Sequence, residues 1–335
     1  MIISMSNFAV IIICLIAGIL LARFKVVGEQ GVKGVNAWVF YVALPALSLR
    51  YVPEMEWSRE MLFPALSPIV MLAGAWCFVR LMDILRLRFK GGRFDIGTRT
   101  ALFVTIALSN TGFIGIPMTA AFFGESNVQY AVLNDQITFL LFSTVALVAI
   151  MRAASIQQSA NAINTSAAAA GTALQNTATA TQNPRISLAA IIKKTTTFPP
   201  FIAFITALIL PYFVDISIAN PVLDKLMVTM SPMAVFSIGL QLRLGALSEN
   251  RGLVTAGLIY KLLLAPLLIL GFALLFGAKD NGAQVSIFEA SMSSHITVSL
   301  LASQYGLNPR LCSLIVGAGI IAGFITSSLW AMVLK

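Results

Sequence analysis

The run Asn110-Thr111-Gly112-Phe113-Ile114-Gly115-Ile116-Pro117 interrupts an otherwise apolar stretch. Its two glycines lower helix propensity and Pro117 removes a backbone donor. In lipid, freed backbone groups are costly unless they meet protein, water or a ligand. The run therefore reads as an unwound membrane helix whose amides and carbonyls bind a substrate or ion. The plainer alternative is a proline kink with close glycine packing. A second run, Glu289-Ala290-Ser291-Met292-Ser293-Ser294-His295-Ile296-Thr297, favours the first reading and carries the chain's one histidine. A carboxylate, an imidazole and hydroxyls at membrane depth are expensive unless they line a cavity. Their alternative role is hydrogen-bond glue between helices. The two runs also keep register. Leu44-Pro45 and Ser231-Pro232 mark equivalent places in the two halves. Asn110 follows Pro45 by 65 residues, and the same interval from Pro232 reaches Thr297.

Composition agrees with a membrane setting. Of 335 residues, 58% are hydrophobic and 10% charged, and mean hydropathy is +0.89. Soluble domains carry about 25% charged residues, so a soluble enzyme, a nucleic-acid module and a disordered chain are excluded. The net charge of +9 reads as Lys and Arg held in cytoplasmic loops, with no nucleic-acid partner. Cys14, Cys77 and Cys312 all lie in apolar runs and read as packing residues rather than metal ligands or disulfides.

A membrane helix needs about 20 apolar residues. Ten spans are expected, near 4–22, 35–52, 62–84, 99–122, 129–151, 197–214, 220–242, 253–276, 285–304 and 309–333. The first begins at Met1 with no basic segment before it and is followed by Arg23 and Lys25, as expected for a retained helix with its N-terminus outside. In that orientation sixteen of the 22 Lys and Arg residues fall on the cytoplasmic side, five fall opposite, and Lys261 lies within a span. This bias supports ten helices with both termini outside. Residues 153–184 are uncharged and rich in Ala, Thr, Asn, Gln and Ser. An eleventh helix through 166–174 would invert the second half and destroy the charge bias. Residues 153–196 are therefore expected to be a flexible cytoplasmic linker between repeats at 1–152 and 197–335. Five helices per half imply inverted repeats, a transporter signature.

Two further ionisable residues fall in spans. Asp135 reads as a snorkelling or capping group, or as a proton or cation site; Lys261 as a snorkelling group, a partner for Glu289, or an attractant for an anion. Gly319 and Gly323 form a GxxxG read as helix packing. No HExxH, GxSxG, Gly-x-Gly-Asp or P-loop is present, so no enzyme is expected. A Ser-His dyad through His295 would need an oxyanion hole that nothing announces. A channel stays open, since broken helices also occur in pores.

These residues together resemble the auxin efflux carrier (AEC) family of permeases, over nearly the whole chain except the linker. The resemblance is carried by Ala43-Leu44-Pro45-Ala46-Leu47, by Asn110–Pro117 and by Asp135. In the second half it is carried by Lys261-Leu262 with Pro266, by Phe288-Glu289-Ala290-Ser291-Met292, and by Gly306-Leu307-Asn308-Pro309 leading to Gly317 and Trp330. It implies an all-α fold of two inverted five-helix repeats, with broken fourth and ninth helices crossing at mid-membrane as in bile-acid/sodium symporters. Helices 1, 2, 6 and 7 would form a scaffold, and helices 3–5 and 8–10 a transport domain moving in an elevator step. The implied substrates are small organic anions: dicarboxylates such as malonate or malate, or aromatic acids such as auxin. The family usually has Met-Pro-Pro or Met-Pro at the second break, where this chain has Met292-Ser293-Ser294; the crossover geometry and the substrate stay open there.

The expected substrate-binding residues are Asn110, Thr111, Gly112, Gly115, Pro117, Ser293, Ser294, His295 and Thr297, with half-helix N-termini presented to a carboxylate. Asp135 and Glu289 are the expected coupling residues for a proton or sodium. In the related sodium symporters an acidic residue four or five positions before the ninth-helix break binds sodium, and Glu289 has that spacing from Ser293 and Ser294. No other cofactor is expected. The expected partners are the organic anion, the lipid bilayer and a second copy through the scaffold, in a bacterial inner membrane. The alternative is an anion channel or membrane receptor on a transporter fold.

Overall fold

The computed structural model describes residues 2–55, 58–169, 197, 199–241 and 251–334. They are helical throughout, with no strand among them beyond one isolated bridge. In chain order the helices are α1 (Ile2–Arg23), α2 (Glu29–Trp38), α3 (Leu44–Tyr51), α4 (Leu62–Lys90), α5 (Ile96–Ala107), α6 (Ile116–Phe123), α7 (Val128–Leu141) and α8 (Leu147–Ala169). They continue as α9 (Pro199–Ile209), α10 (Asn220–Met227), α11 (Met230–Gln241), α12 (Arg251–Ile259), α13 (Ala265–Leu275), α14 (Asn281–Ala290), α15 (Ile296–Gln304) and α16 (Pro309–Leu334). Among the described residues six stretches are long and apolar enough to cross a membrane: Glu29–Glu54, Arg59–Phe89, Glu125–Ser159, Ser217–Gln241, Arg251–Leu275 and Pro309–Leu334. Shorter apolar helices cover Ala9–Arg23, Ile96–Ala107, Thr111–Phe123 and Ile202–Tyr212.

Local chemistry sets the ends. Asp95 caps α5 by accepting from the Thr98 amide at 2.8 Å, and Asp280 caps α14 by accepting from Ala283 at 2.8 Å. Gly91, at φ +70°, ends α4 in the left-handed conformation. Four wide π-turns, Val39–Ala43, Thr111–Gly115, Phe142–Ala146 and Tyr260–Leu264, interrupt the helices, and such turns gather at functional sites. One expectation changes here. Residues 153–169, assigned to a linker from their polar content, continue α8 as helix. Their alanines favour helix intrinsically. The rest of that linker, 170–196, lies outside the described residues.

The helices pack in two groups. In one, α1 lies along α11, and α3 lies against α9 and α10. Gly18 and Gly239 meet where α1 crosses α11: a Cβ on either would come within 2.9 Å of the other's Cα and overlap a facing carbonyl oxygen. Pro45 starts α3 directly after the Val39–Ala43 turn, and Pro232 lies in the first turn of α11. The Trp38 indole donates to Thr229 Oγ at 2.8 Å, tying those two interruptions together. We expect Gly239→Leu to prevent this crossing. Overpacking costs about 1–3 kcal/mol, and here backbone is in the way, so the thermal midpoint in detergent should fall well below that of Gly271→Leu, whose site is open.

In the other group, α4 packs on α5, α7, α13 and α14, and α5 on α8, α15 and α16. Its core includes Leu102, Ile106, Ile150, Ile269 and Ile315. A second apolar cluster joins the groups, with Ile11, Val39, Leu44, Leu47 and Ile238 against Phe113, Ile114 and Met118. The seam is greasy on both sides.

Candidate substrate site

The two broken helices meet inside the second group. α5 stops at Ala107 and Leu108 turns to extended backbone; α14 stops at Ala290 and helix resumes at Ile296. The two extended pieces cross antiparallel at Ser109 and Ser294. The Asn110 amide donates to the Ser293 carbonyl at 2.9 Å, and the His295 amide donates to the Leu108 carbonyl at 3.0 Å. Each break thus satisfies part of the backbone the other leaves unpaired, which is the condition for non-helical chain at membrane depth. The Asn110 carbonyl then accepts from Gly115 at 3.0 Å and Ile114 at 3.2 Å, opening the wide turn into α6. Pro117 follows at the head of α6, where a missing donor costs little.

Three buried ionisable side chains brace this crossing. Lys261, fully buried on the Tyr260–Leu264 turn, donates to Ser109 Oγ at 2.7 Å and to the Ala290 carbonyl at 2.7 Å. It holds one strand of the crossing and the last turn of α14 with one ammonium. Its ammonium is thus held by two oxygens of the crossing, and it is not among the residues that line the cavity described below. Glu289 of α14 accepts from Thr119 Oγ on α6 at 2.8 Å. A Cβ on Gly115 would overlap its carboxylate, so only glycine lets the carboxyl sit there. Asp135 of α7 accepts from Thr111 Oγ at 2.6 Å and lies against Gly112, where a Cβ would come within 2.9 Å of Oδ1. The glycines read as breaks are thus also landing places for carboxyls. No group of three or more His, Cys, Asp or Glu with metal-holding geometry occurs among the described residues.

Beside the crossing lies a cavity of about 80 Å³, lined by Phe40, Leu44, Gly112, Phe113, Asp135, Gln136, Phe139, Phe142, His295 and Thr297. A single water needs roughly 10–15 Å³ by such a measure, so the cavity holds more than one. His295 stacks on Phe142, with ring centroids 5.8 Å apart and planes 19° apart. Phe40 and Leu44 reach in from the first group of helices, so the cavity sits on the seam. Around the crossing, Asn110 Nδ2, Gln136 Oε1, Glu289 Oε2, Ser293 Oγ, Ser294 Oγ and His295 Nδ1 are buried with no hydrogen-bond partner. A buried polar atom left unpaired costs about 1–3 kcal/mol. Gln136 and His295 of these six line the cavity, and the other four lie along the crossing beside it.

The structure brings Asn110, Thr111, Gly112, Gly115, Ser293, Ser294, His295 and Thr297 to the crossing or its cavity, with Asp135 and Glu289 beside them. Pro45 and Pro232 lie outside it, in the first group of helices. Gly319 and Gly323 of α16 pack under Ser293; a Cβ added at each would lie 3.9 and 3.4 Å from the serine Cβ. Gln136 and the four phenylalanines join the site without having been expected there. The triplet Asn134-Asp135-Gln136, three polar residues in an apolar span, is a signal for Gln136; the phenylalanines carry none.

Comparison with known proteins matches residues 2–331 to the family described as "Membrane transport protein". The chain is 25% identical over 325 residues to an "uncharacterized transporter" of Methanothermobacter thermautotrophicus, covering 97% of this chain and 96% of the relative. It is 22% identical over 339 residues to the "uncharacterized transporter MJ1031" of Methanocaldococcus jannaschii, covering 99% of each.

Proposed function

The chain belongs to the membrane transport protein family, and we propose that within it this protein is a secondary transporter of a small organic anion. It is a multi-pass integral membrane protein that moves a small molecule and is not an enzyme. The observation that carries the proposal is the set of six unpartnered buried polar atoms at the crossing. Of these, Asn110 Nδ2 and the Ser293 and Ser294 hydroxyls are neutral donors, and with the helix N-termini beside the crossing they suit a carboxylate. Asn110, Thr111, Gly112, Gly115, Pro117, Ser293, Ser294, His295 and Thr297 form the substrate site in this reading. Asp135 and Glu289 are the two candidates for coupling transport to a proton or sodium.

The wider architecture is part of the same proposal. Ten spans form two inverted five-helix repeats with both termini outside, in a bacterial inner membrane. The group containing α1–α3 and α9–α11 is the scaffold, which also offers a homodimer surface. The group containing α4–α8 and α12–α16 is the transport domain, which slides past it as an elevator. The apolar seam supports this, because greasy surfaces slide without breaking many polar bonds.

The test is capacitive current from proteoliposomes given malonate, malate, lactate, succinate and indole-3-acetate in turn, with and without sodium and a pH step. We expect a saturable current for one acid and its loss in Asn110→Ala, which removes a donor from the crossing. Normal transport in both Asn110→Ala and Glu289→Gln would overturn the site. Current that never saturates would favour a channel, and ligand-induced stabilisation without flux a receptor.

A further inference from the structure

The buried charges at the crossing do not balance. Lys261 supplies one cation, while Glu289 and Asp135 supply two carboxyls, all three buried. Lys261 serves the Glu289 side: it is bonded to the carbonyl of the next residue, Ala290, and its charge acts on Glu289. Asp135 has a hydroxyl and a backbone amide for partners, from Thr111 and Gly112. Among the described residues no Lys or Arg lines the cavity into which Asp135 opens. The described elements packed on α7 add no cation at that depth. They present Glu289 from α14, His295 ahead of α15, Ser67 from α4, Thr119 from α6, and Phe40 and Leu44 from the α2–α3 stretch. Further out, Glu60 accepts from Tyr130, Glu125 accepts from Tyr51, and Arg50 is held by Glu54 and Asp224.

A carboxylate substrate in this cavity therefore lies beside a second carboxylate, in a low-dielectric site where like charges repel strongly. Two carboxyls sharing one site hold one proton between them. Resting on the reading of the chain as an organic-anion transporter, we infer that each substrate molecule enters with one proton, shared between one of its carboxylates and Asp135, so that a dicarboxylate still carries net charge. The proton comes from the solution the substrate leaves and departs with it on the other side. Asp135 is the coupling residue, and Glu289, held by the Thr119 hydroxyl against Gly115, does not exchange protons during the cycle.

The experiment uses proteoliposomes loaded with pyranine and given a mixture of malonate, malate, succinate and lactate, against protein-free liposomes. Net uptake of the labelled acids is followed in parallel, and their counterflow separately as the measure of transport activity. The wild type should move one proton per acid, and an inward proton gradient should drive accumulation. In Asp135→Asn the ratio should fall to near zero, with the remaining flux indifferent to the gradient. Calorimetry of the same mixture in two buffers of different ionisation enthalpy gives a readout independent of turnover. There the wild type should take up one proton per acid bound and Asp135→Asn none. Net uptake of acid with no proton movement in the wild type would overturn the inference and leave the anion reading standing. So would accumulation driven by sodium alone, or a proton ratio unchanged in Asp135→Asn. Absence of protein-dependent counterflow for every acid would overturn the anion reading and this inference with it.

Discussion

Lys261→Met is expected to destabilise the protein more than any other single change at the crossing. The ammonium has two jobs at once. It satisfies Ser109 Oγ and the Ala290 carbonyl, and it is the cation nearest in effect to the buried carboxyl of Glu289. Methionine fills similar space but supplies neither hydrogen bonds nor charge. Each buried oxygen left without its donor costs about 1–3 kcal/mol, and the carboxyl of Glu289 loses a cation that acts on it. The thermal midpoint in detergent should drop accordingly. The double variant Lys261→Met/Glu289→Gln separates charge from bracing. If charge dominates, the double variant is more stable than Lys261→Met alone, and the interaction energy from the cycle is large. If the double variant is as unstable as the single, the two hydrogen bonds dominate and the pairing with Glu289 is incidental.

Gly115→Ala is expected to have the largest effect on transport. Its new methyl group would occupy the position of the Glu289 carboxylate. Backbone and buried carboxyl must both move, at about 1–3 kcal/mol. The shift falls on the turn that carries Asn110, Thr111 and Gly112 toward the cavity. Misplacement by about 1 Å lowers a rate by roughly 100-fold in well-oriented sites, so uptake should fall by one to two orders of magnitude while folded protein is still recovered. Adding Glu289→Ala removes the overlap, and the thermal midpoint should return toward that of Glu289→Ala alone. A Gly115→Ala protein with normal uptake would mean the turn tolerates movement and does not set the site.

How much of the site is legible in the sequence follows from what each residue type can signal. Gly112, Gly115 and Pro117 announce a break because nothing else explains them in an apolar span. The hydroxyls from Ser291 to Thr297 do the same in the second half, and the shared interval after Pro45 and Pro232 pairs the two. The missing prolines at Met292-Ser293-Ser294 leave the second break open in sequence. The structure breaks there all the same, and the facing strand at Ser109 supplies the bonds that the helix gives up. Lys261 is visible as an oddity, but its partners are not, since Ser109 and Ala290 are far from it in the chain. Phe40, Phe113, Phe139 and Phe142 are invisible, because a phenylalanine facing a cavity looks the same in sequence as one facing lipid. The helix through 153–169 is hidden because its polar content suggests a linker more strongly than its alanines suggest a helix.

The central claim is that the crossing of the two broken helices binds a substrate that is carried across by alternating access. Counterflow tests it most directly. Proteoliposomes preloaded with one unlabelled acid of the panel at high concentration are diluted into a trace of the same acid in labelled form. The account predicts a transient overshoot of internal label that saturates with substrate and is lost in Gly115→Ala. Label that rises steadily to the external concentration, without overshoot or saturation, would contradict it.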